Sequence, residues 1–361
     1  MANNNENKIL NVPNLRFPEF SGEWVTKSIN DLAVVIGGGT PDTTVKSYWD
    51  GEIQWFTPSE IGKNKYVDSS LRTITEVGLN NSSAKLLPPN TILLSSRATI
   101  GECSLSLREC ATNQGFQCLV SKKCNVDFLY YLIQTKKKDL IRKSCGSTFL
   151  EISANEVRKI QVSVPSDVEQ QKIAELLSLI DERIATQNKI IEKLQSLIKG
   201  LIDDIITLKC GQLVAFETLY SKAGEGGTPT TSNTEFYDNG SIPFIKIDDL
   251  SNKYLSANKD YITELGLKKS SAWLIPTHSI IYSNGATIGA ISINKYPVCT
   301  KQGILGIVPN TNIDVEFLYY FMQSSYFQKE VERVVTEGTM KTAYLKDINH
   351  IKCPIPLEFN L

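Results

Sequence analysis

An internal duplication constrains the fold of this chain more than any other feature of its sequence. The run Gly38-Gly39-Thr40-Pro41 recurs as Gly226-Gly227-Thr228-Pro229, which is an offset of 228 − 40 = 188 residues. At that offset, residues 74–101 align with residues 262–289 without a gap, and 16 of the 28 positions are identical. A match of this length predicts two homologous domains within one chain.

Each copy mixes strand and helix patterns, which predicts an α+β fold class. Short apolar and β-branched runs lie between turn residues and predict strands. The predicted strands include residues 92–94, 160–164, 280–282, 304–308 and 351–355. Residues 128–141 and 317–334 have the length and spacing of an amphipathic helix, and we expect one helix in each. Each copy is therefore expected to be a compact unit that ends at a proline, Pro165 or Pro356.

The segment between the copies has the pattern of a coiled coil. Ser166 and Glu169 form a capping-box signature, and between Pro165 and about residue 207 there is no further proline and the only glycine is Gly200. Residues spaced alternately by 4 and 3 form an apolar seam with one polar member: Ile173, Leu177, Ile180, Ile184, Gln187, Ile191, Leu194, Ile198, Leu201 and Ile205. We expect a helix of about 40 residues, roughly 60 Å long, whose apolar stripe packs on another long helix. A core helix inside one domain is the alternative, but such helices are usually shorter.

Two homologous modules held apart by a helix suit the recognition of two DNA half-sites. The shared framework would be a scaffold, and turn residues that differ between the copies would contact different bases. The candidates occupy aligned positions of the two copies. With the residue of the first copy named first, they are Thr57 and Lys246, Ser59 and Asp248, Lys85 and Trp273, Ser96 and Asn284, Arg97 and Gly285, and Asn113 and Lys301. Thr40 and Thr228 in the Gly-Gly-Thr-Pro turns, and Gln114 and Gln302 in the aligned Thr-x-Gln-Gly segments, are candidates shared by the two copies. Taken singly, each of these residues is more often an ordinary surface residue, and the Gly-Gly-Thr-Pro turns are equally compatible with tight structural turns.

Composition excludes several classes of protein without selecting one. The net charge of −1 does not indicate a general nucleic-acid coat. Eight cysteines without a C-x-x-C pair and two histidines indicate buried thiols in a reducing cytoplasm, and we expect no metal site. No apolar run is long enough for a membrane helix, and the polar start does not resemble a signal peptide. A cytoplasmic location is therefore expected.

The sequence does not predict an enzyme. The run Leu87-Pro88-Pro89-Asn90 has the wrong order for the motif with which DNA methyltransferases grip a target amine. The glycine-rich turns lack the G-x-G-x-x-G strand-to-helix context, and no G-x-x-x-x-G-K-[ST] loop is present. With two histidines, neither near a Ser or Cys in a recognisable motif, a hydrolase triad is also not indicated. We expect no catalytic residue and no cofactor in this chain.

Several motifs together resemble the specificity (S) subunits of type I restriction-modification systems. They are the opening Val12-Pro-Asn-Leu-Arg-Phe-Pro-Glu-Phe-x-Gly-x-Trp24, the two Gly-Gly-Thr-Pro turns, the Ile-Thr-x-x-Gly-Leu blocks, and Pro165-x-x-x-Glu-Gln-Gln-Lys-Ile-Ala174 at the start of the long helix. The resemblance covers essentially the whole chain. It implies two target recognition domains separated by a long coiled-coil helix, with a segment at 1–20, domains at 21–165 and 209–356, and the helix at 166–208.

The resemblance also implies function and partners. Each domain would recognise one half of a split target in double-stranded DNA. The helix, including Gln170 and the seam from Ile173 to Ile205, would space the domains and dock the methyltransferase (M) subunits. S-adenosylmethionine would be bound by M, and ATP and Mg²⁺ by the restriction (R) subunits.

One departure from the family pattern leaves alternatives open. Family members usually carry a second helix after the second domain, whereas this sequence ends at residues 357–361. We therefore expect a truncated C-terminus, with the missing helix supplied by a second chain, by an M subunit, or not at all. The alternatives are a silent truncated specificity gene product and a coiled-coil adaptor that binds proteins and not DNA.

Overall fold

In the first copy, turn residues separate the strands along the sequence, and pairing between distant strands forms the sheets. A computed structural model describes residues 11–146, 150–208, 210–255, 258–285, 287–336 and 341–356. The contacts divide the chain into two compact units, Met1–Gln187 and Asn188–Leu361. The elements of the first unit before the long helix are β1 (Val25–Ser28), α1 (Ile29–Leu32), β2 (Ala33–Gly37), β3 (Trp49–Phe56), β4 (Tyr66–Val67), β5 (Arg72–Ile74), α2 (Glu76–Asn80), β6 (Ile92–Leu94), β7 (Cys103–Ser106), β8 (Cys110–Thr112), β9 (Gln117–Ser121), α3 (Val126–Thr135), α4 (Lys137–Arg142), α5 (Ala154–Arg158) and β10 (Gln161–Val164).

In the first unit, two smaller sheets and several helices pack around a larger sheet whose strand β6 is buried on both faces. The sheet orders are β2-β9-β6-β7-β4, β5-β3-β8 and the pair β1-β10. Ile92 and Leu94 of β6 pack with Ile133 of α3, whereas Leu93 packs with Phe56 of β3. Because successive side chains of a strand point to opposite faces, the continuous apolar run of β6 fits this central place.

Within the described residues, the second unit repeats the helices and strands of the first in the same order, except α1 and β4. After the long helix its elements are β11 (Cys210–Ala215), β12 (Tyr220–Glu225), β13 (Ile242–Ile245), β14 (Asp260–Ile262), α7 (Glu264–Lys268), β15 (Ile280–Ser283), β16 (Ile291–Ile293), β17 (Cys299–Thr300), β18 (Ile304–Pro309), α8 (Val315–Gln323), α9 (Ser325–Val334), α10 (Leu345–Ile348) and β19 (Lys352–Pro356). The sheet orders are β12-β18-β15-β16, β14-β13-β17 and β11-β19. The α+β fold predicted for each copy is therefore confirmed.

The two predicted amphipathic helices are each divided into two, which corrects the expectation of one continuous helix. In the first unit, α3 ends at Thr135, and Lys136 (φ −94°, ψ 7°) separates it from α4, which follows directly. In the second unit, Ser324 is extended (φ −61°, ψ 150°) and its hydroxyl accepts a hydrogen bond from the Phe327 amide. The apolar spacing continues across both breaks, so it did not reveal them. Serine favours such N-cap positions, which explains the second break.

The long helix α6 runs from Asp167 to Leu208, as the seam predicted. The Ser166 hydroxyl accepts from the Glu169 amide at 3.4 Å, which is one half of the predicted capping box. The Glu169 carboxylate instead accepts from Arg16 Nε and Nη2, each at 2.7 Å, and from Trp24 Nε1 at 3.3 Å. This buried carboxylate therefore fastens the segment before β1 to the start of α6.

We predict opposite effects on stability for alanine at two glycines. A Cβ at Gly39 would lie 2.3 Å from the backbone of Ser83 and Ala84, whereas a Cβ at Gly200 meets nothing within 4 Å. Gly39→Ala should lower the free energy of unfolding by about 1–3 kcal/mol, because the turn has no room. Gly200→Ala should raise helix stability by about 0.5–1 kcal/mol. Urea denaturation followed by circular dichroism measures both, and an unchanged midpoint for Gly39→Ala would contradict the close packing of this turn.

Candidate nucleic-acid interface

The small sheet of the first unit brings candidate residues to one end of its strands. β3 and β8 are parallel, with Phe56 opposite Thr112, so Thr57 and Asn113 follow at the same end. β5 is antiparallel to β3 and begins there, with Arg72 opposite Trp55. We call this region, formed by Thr40, Thr57, Ser59, Arg72, Asn113 and Gln114, the first strand-end surface.

Hydrogen bonds fix the backbone beneath the first strand-end surface. The Gly39 amide donates to the Thr112 carbonyl at 2.8 Å, and Trp55 Nε1 donates to the Gly39 carbonyl at 3.0 Å. Above this turn, the Thr40 hydroxyl donates to Gln114 Oε1. Asn113 Oδ1 accepts from the Gly115 amide at 2.9 Å, so the loop after β8 is closed on itself. The Gly-Gly-Thr-Pro turn is therefore docked against the end of β8.

The other candidates of the first unit differ in exposure. The Ser96 amide donates to the Gly115 carbonyl at 2.8 Å, which places Arg97 next to the first strand-end surface. Arg97 Nη2 lies 2.9 Å from Glu151 Oε2 and its side chain is 42% exposed. Lys85 is exposed and follows Ala84, which packs on Gly39. Ser96 itself is fully buried, so a base contact would require its neighbours to move, and we leave it out of the proposed interface.

The second unit repeats this arrangement with different side chains. β13 and β17 are parallel and end at Ile245 and Thr300. The second strand-end surface consists of the residues that follow these strands or flank them: Thr228, Lys246, Asp248, Asp260, Lys301 and Gln302. Of these, Lys246, Asp248, Lys301 and Gln302 are exposed. The Gln302 backbone amide donates to the Thr228 hydroxyl at 3.5 Å, whereas in the first unit the Thr40 hydroxyl donates to the side chain of Gln114.

Two further positions of the second unit are enclosed. Asn284 is 1% exposed, and its Nδ2 donates to the Ala343 carbonyl at 3.1 Å, so it is also left out of the proposed interface. Trp273, the counterpart of Lys85, is half-buried under Lys222, whose Nζ lies 4.3 Å from the ring centroid.

The thiols near the small sheet are neutral. Burial raises the pKa of Cys110 and Cys118 to about 12, so neither carries the thiolate that a reactive or metal-binding cysteine needs. Within the described residues, no group of three or more His, Cys, Asp and Glu side chains is placed to hold a metal ion. The same residues include no helix that is both long enough and apolar enough to span a membrane.

The apolar seam of α6 changes character along the helix. Near its start, Ala174 is buried and Ile173 packs on the core of the first unit. Gln170 is 2% exposed, its Oε1 accepts from the Asn125 amide at 3.0 Å, and its Nε2 donates to the Pro165 carbonyl at 3.1 Å. The later seam residues are each 44–54% exposed, and Gln187 among them is exposed too: Ile180, Ile184, Ile191, Leu194, Ile198, Leu201 and Ile205.

Comparison with known proteins decides the family. A family model described as the type I restriction modification DNA specificity domain matches residues 21–196 and 220–358. The chain therefore belongs to the type I restriction-modification specificity subunits. It is similar to the type I restriction enzyme MjaIX specificity subunit of Methanocaldococcus jannaschii, with 30% identity over 359 residues that cover 92% of this chain and 83% of the relative. The family resemblance found in the sequence is confirmed.

Two solved structures share the fold of this specificity subunit. One is the crystal structure of the S subunit of a type I system from M. genitalium, with a TM-score of 0.53, 16% identity, and coverage of 93% of this chain and 86% of that chain. The other comes from work on complex assembly and conformational transition of the type I system, with a TM-score of 0.59, 15% identity, and coverage of 96% and 88%. Two recognition domains with a long central helix are thus the architecture of this subunit.

We predict that Gln170 stabilises the first domain and that its neighbour Gln171 does not. Gln170→Ala would leave the Asn125 amide and the Pro165 carbonyl without these partners in a buried place, which should cost about 2–3 kcal/mol. Gln171 is exposed, and its alanine variant should stay within about 0.5 kcal/mol of the wild type. Urea denaturation followed by tryptophan fluorescence compares the two variants. Equal midpoints would show that the buried amide has no anchoring role.

Proposed function

We propose that this chain is the non-catalytic subunit through which a type I restriction-modification complex recognises double-stranded DNA. Each domain would contact one half of a bipartite target through its strand-end surface. One observation carries this proposal: the two domains present different polar side chains at the same strand ends of the same small sheet. A framework that is repeated while its exposed side chains change is suited to recognising two different half-sites.

The exposed side chains offer chemistry that matches base edges. Lysine donates to guanine acceptors, asparagine and glutamine form paired hydrogen bonds with adenine, and aspartate accepts from cytosine. Gln114 supplies an exposed amide and Asn113 a half-buried one in the first domain, whereas Lys301 and Asp248 supply an exposed ammonium group and an exposed carboxylate in the second. The two half-sites are therefore expected to differ in sequence.

The exposed part of the α6 seam supports the docking of partner subunits. Apolar side chains along several turns of this helix are half exposed. A partner helix that covers them removes apolar surface from water, which stabilises the complex by about 25 cal/mol for each Å² of apolar surface buried. We propose that M subunits bind here, directly or together with a further helix. S-adenosylmethionine would then be bound by M, and ATP and Mg²⁺ by the R subunits, with no cofactor in this chain.

We predict that Lys301 helps to determine the methylated sequence. The chain is expressed with its cognate M subunit, and methylated adenines in the host genome are mapped by single-molecule sequencing. The wild type should methylate a bipartite motif in both halves. Lys301→Ala should relax or abolish one half of the motif, because the variant loses a donor to a base or phosphate.

The control for Lys301→Ala is Lys329→Ala, an exposed lysine on α9 away from the strand ends. Its motif should equal that of the wild type. A wild-type complex that is soluble but methylates nothing would contradict the proposed function. A Lys301→Ala motif identical to that of the wild type would remove this residue from the interface.

We predict that charge on the exposed seam prevents binding of the M subunit. Ile191→Asp combined with Leu194→Asp places two carboxylates where an apolar contact is expected, and copurification with M should fall at least tenfold. Glu192→Ala lies on the same turn off the seam and should copurify normally. Circular dichroism checks that each variant remains helical, and normal copurification of the double variant would show that M binds elsewhere.

A further inference from the structure

Arg72 carries an exposed guanidinium that an aromatic ring holds in place. Its Cζ lies 3.5 Å from the centroid of the Trp49 ring, and within the described part of the chain it forms no ion pair. Trp49 is 6% exposed, packs edge-on against Trp55 at 5.1 Å, and donates from Nε1 to the Asp42 carbonyl at 3.1 Å. The ring is therefore fixed, and its face attracts the cation that is stacked on it.

The position of Arg72 places this cation on the first strand-end surface. Arg72 is the first residue of β5 and pairs with Trp55, two residues before Thr57. Directly paired residues of an antiparallel sheet point to the same face, so Arg72 lies on the Trp55 side. The Ser70 hydroxyl donates to the Arg72 carbonyl at 2.6 Å, and the Leu71 amide donates to Glu60 at 2.7 Å. Both bonds hold the backbone at this strand end.

The second domain neutralises the same position. Asp260 corresponds to Arg72 at the offset of 188 residues (260 − 72). There, Lys246 Nζ lies 2.8 Å from Asp260 Oδ1, so this ammonium group already has a partner. Tyr237 replaces Trp49 and donates its hydroxyl to the Pro229 carbonyl. The first domain thus presents an unpaired cation where the second has an internal ion pair.

The stacked geometry suits one kind of ligand. A guanidinium is planar and carries its N–H donors in the plane, so a face that rests on Trp49 leaves the edge donors available. Such a fork matches two adjacent acceptor atoms. In DNA these are guanine O6 and N7 in the major groove, or two oxygens of one phosphate.

We propose that Arg72 is a DNA-contact residue of the first domain, positioned by Trp49, and that its guanidinium donates two hydrogen bonds to a paired acceptor on DNA. This inference rests on the proposed DNA-recognition function. Trp49 acts through Arg72 and makes no DNA contact of its own. The second domain makes no equivalent contact at Asp260.

The test compares Arg72→Gln and Arg72→Lys with Arg108→Gln in the purified complex with the M subunit. Arg108 is an exposed arginine of the same domain that is paired with Asp68, so it controls for loss of a positive charge. Each complex is incubated with a randomised duplex DNA pool, bound sequences are determined, and affinity is measured against salt concentration. The wild-type complex must first select a bipartite motif, and failure at this stage would overturn the proposed function itself.

Given a wild-type motif, Arg72→Gln should weaken binding about 10- to 100-fold. If guanine is the ligand, one position of one half-site loses its preference and lysine does not restore it. If phosphate is the ligand, the motif remains, and the slope of log binding constant against log salt concentration decreases in magnitude by about 1. The Arg72→Lys variant then retains most of the wild-type affinity. Arg108→Gln should match the wild type in both measurements. An Arg72→Gln complex with wild-type affinity and an unchanged motif would overturn the role of Arg72.

Discussion

The parallel pairing of β3 with β8 is the interaction on which the first strand-end surface depends. It sets Phe56 opposite Thr112, so two loops from distant parts of the sequence leave the sheet side by side. The Thr112 carbonyl also accepts from Gly39, which docks the Gly-Gly-Thr-Pro turn beside those loops. β13 and β17 make the same pairing in the second domain. In each domain, one pair of parallel strands therefore positions three chain segments side by side.

The duplication separates the residues that build the fold from those that provide its chemistry. The turn glycines have no room for a side chain in either copy: a Cβ at Gly39 or Gly227 would lie within 2.5 Å of neighbouring atoms. Such positions cannot vary without cost to the fold. The residues just beyond the strands bear no such restriction, since they project from a fixed backbone. Thr57 and Lys246 occupy equivalent N-cap positions and differ completely in chemistry. Specificity can therefore change while stability is kept.

Much of the architecture could be predicted from the sequence because its signals are local or repeated. The seam spacing predicted α6, and the aligned blocks predicted the two domains. The burial of Ser96 and Asn284 could not be predicted, because it depends on segments distant in sequence, such as Ala343 against Asn284. The stacking of Arg72 on Trp49 also depends on a strand pairing that spacing does not reveal. Its only signal in the sequence is the charge reversal between Arg72 and Asp260.

The long helix packs on a hydrophobic core near each of its ends, and its middle part is exposed. Ala174 is buried in the core of the first unit, and Ile202 packs against the core of the second. In the described chain, the apolar seam residues from Ile180 to Leu201 are about half exposed. An apolar stripe of this length is unfavourable in water unless another surface covers it. We propose that a partner which covers the stripe couples its own binding to DNA recognition, because the same helix joins both recognition domains, although the two interactions use different residues.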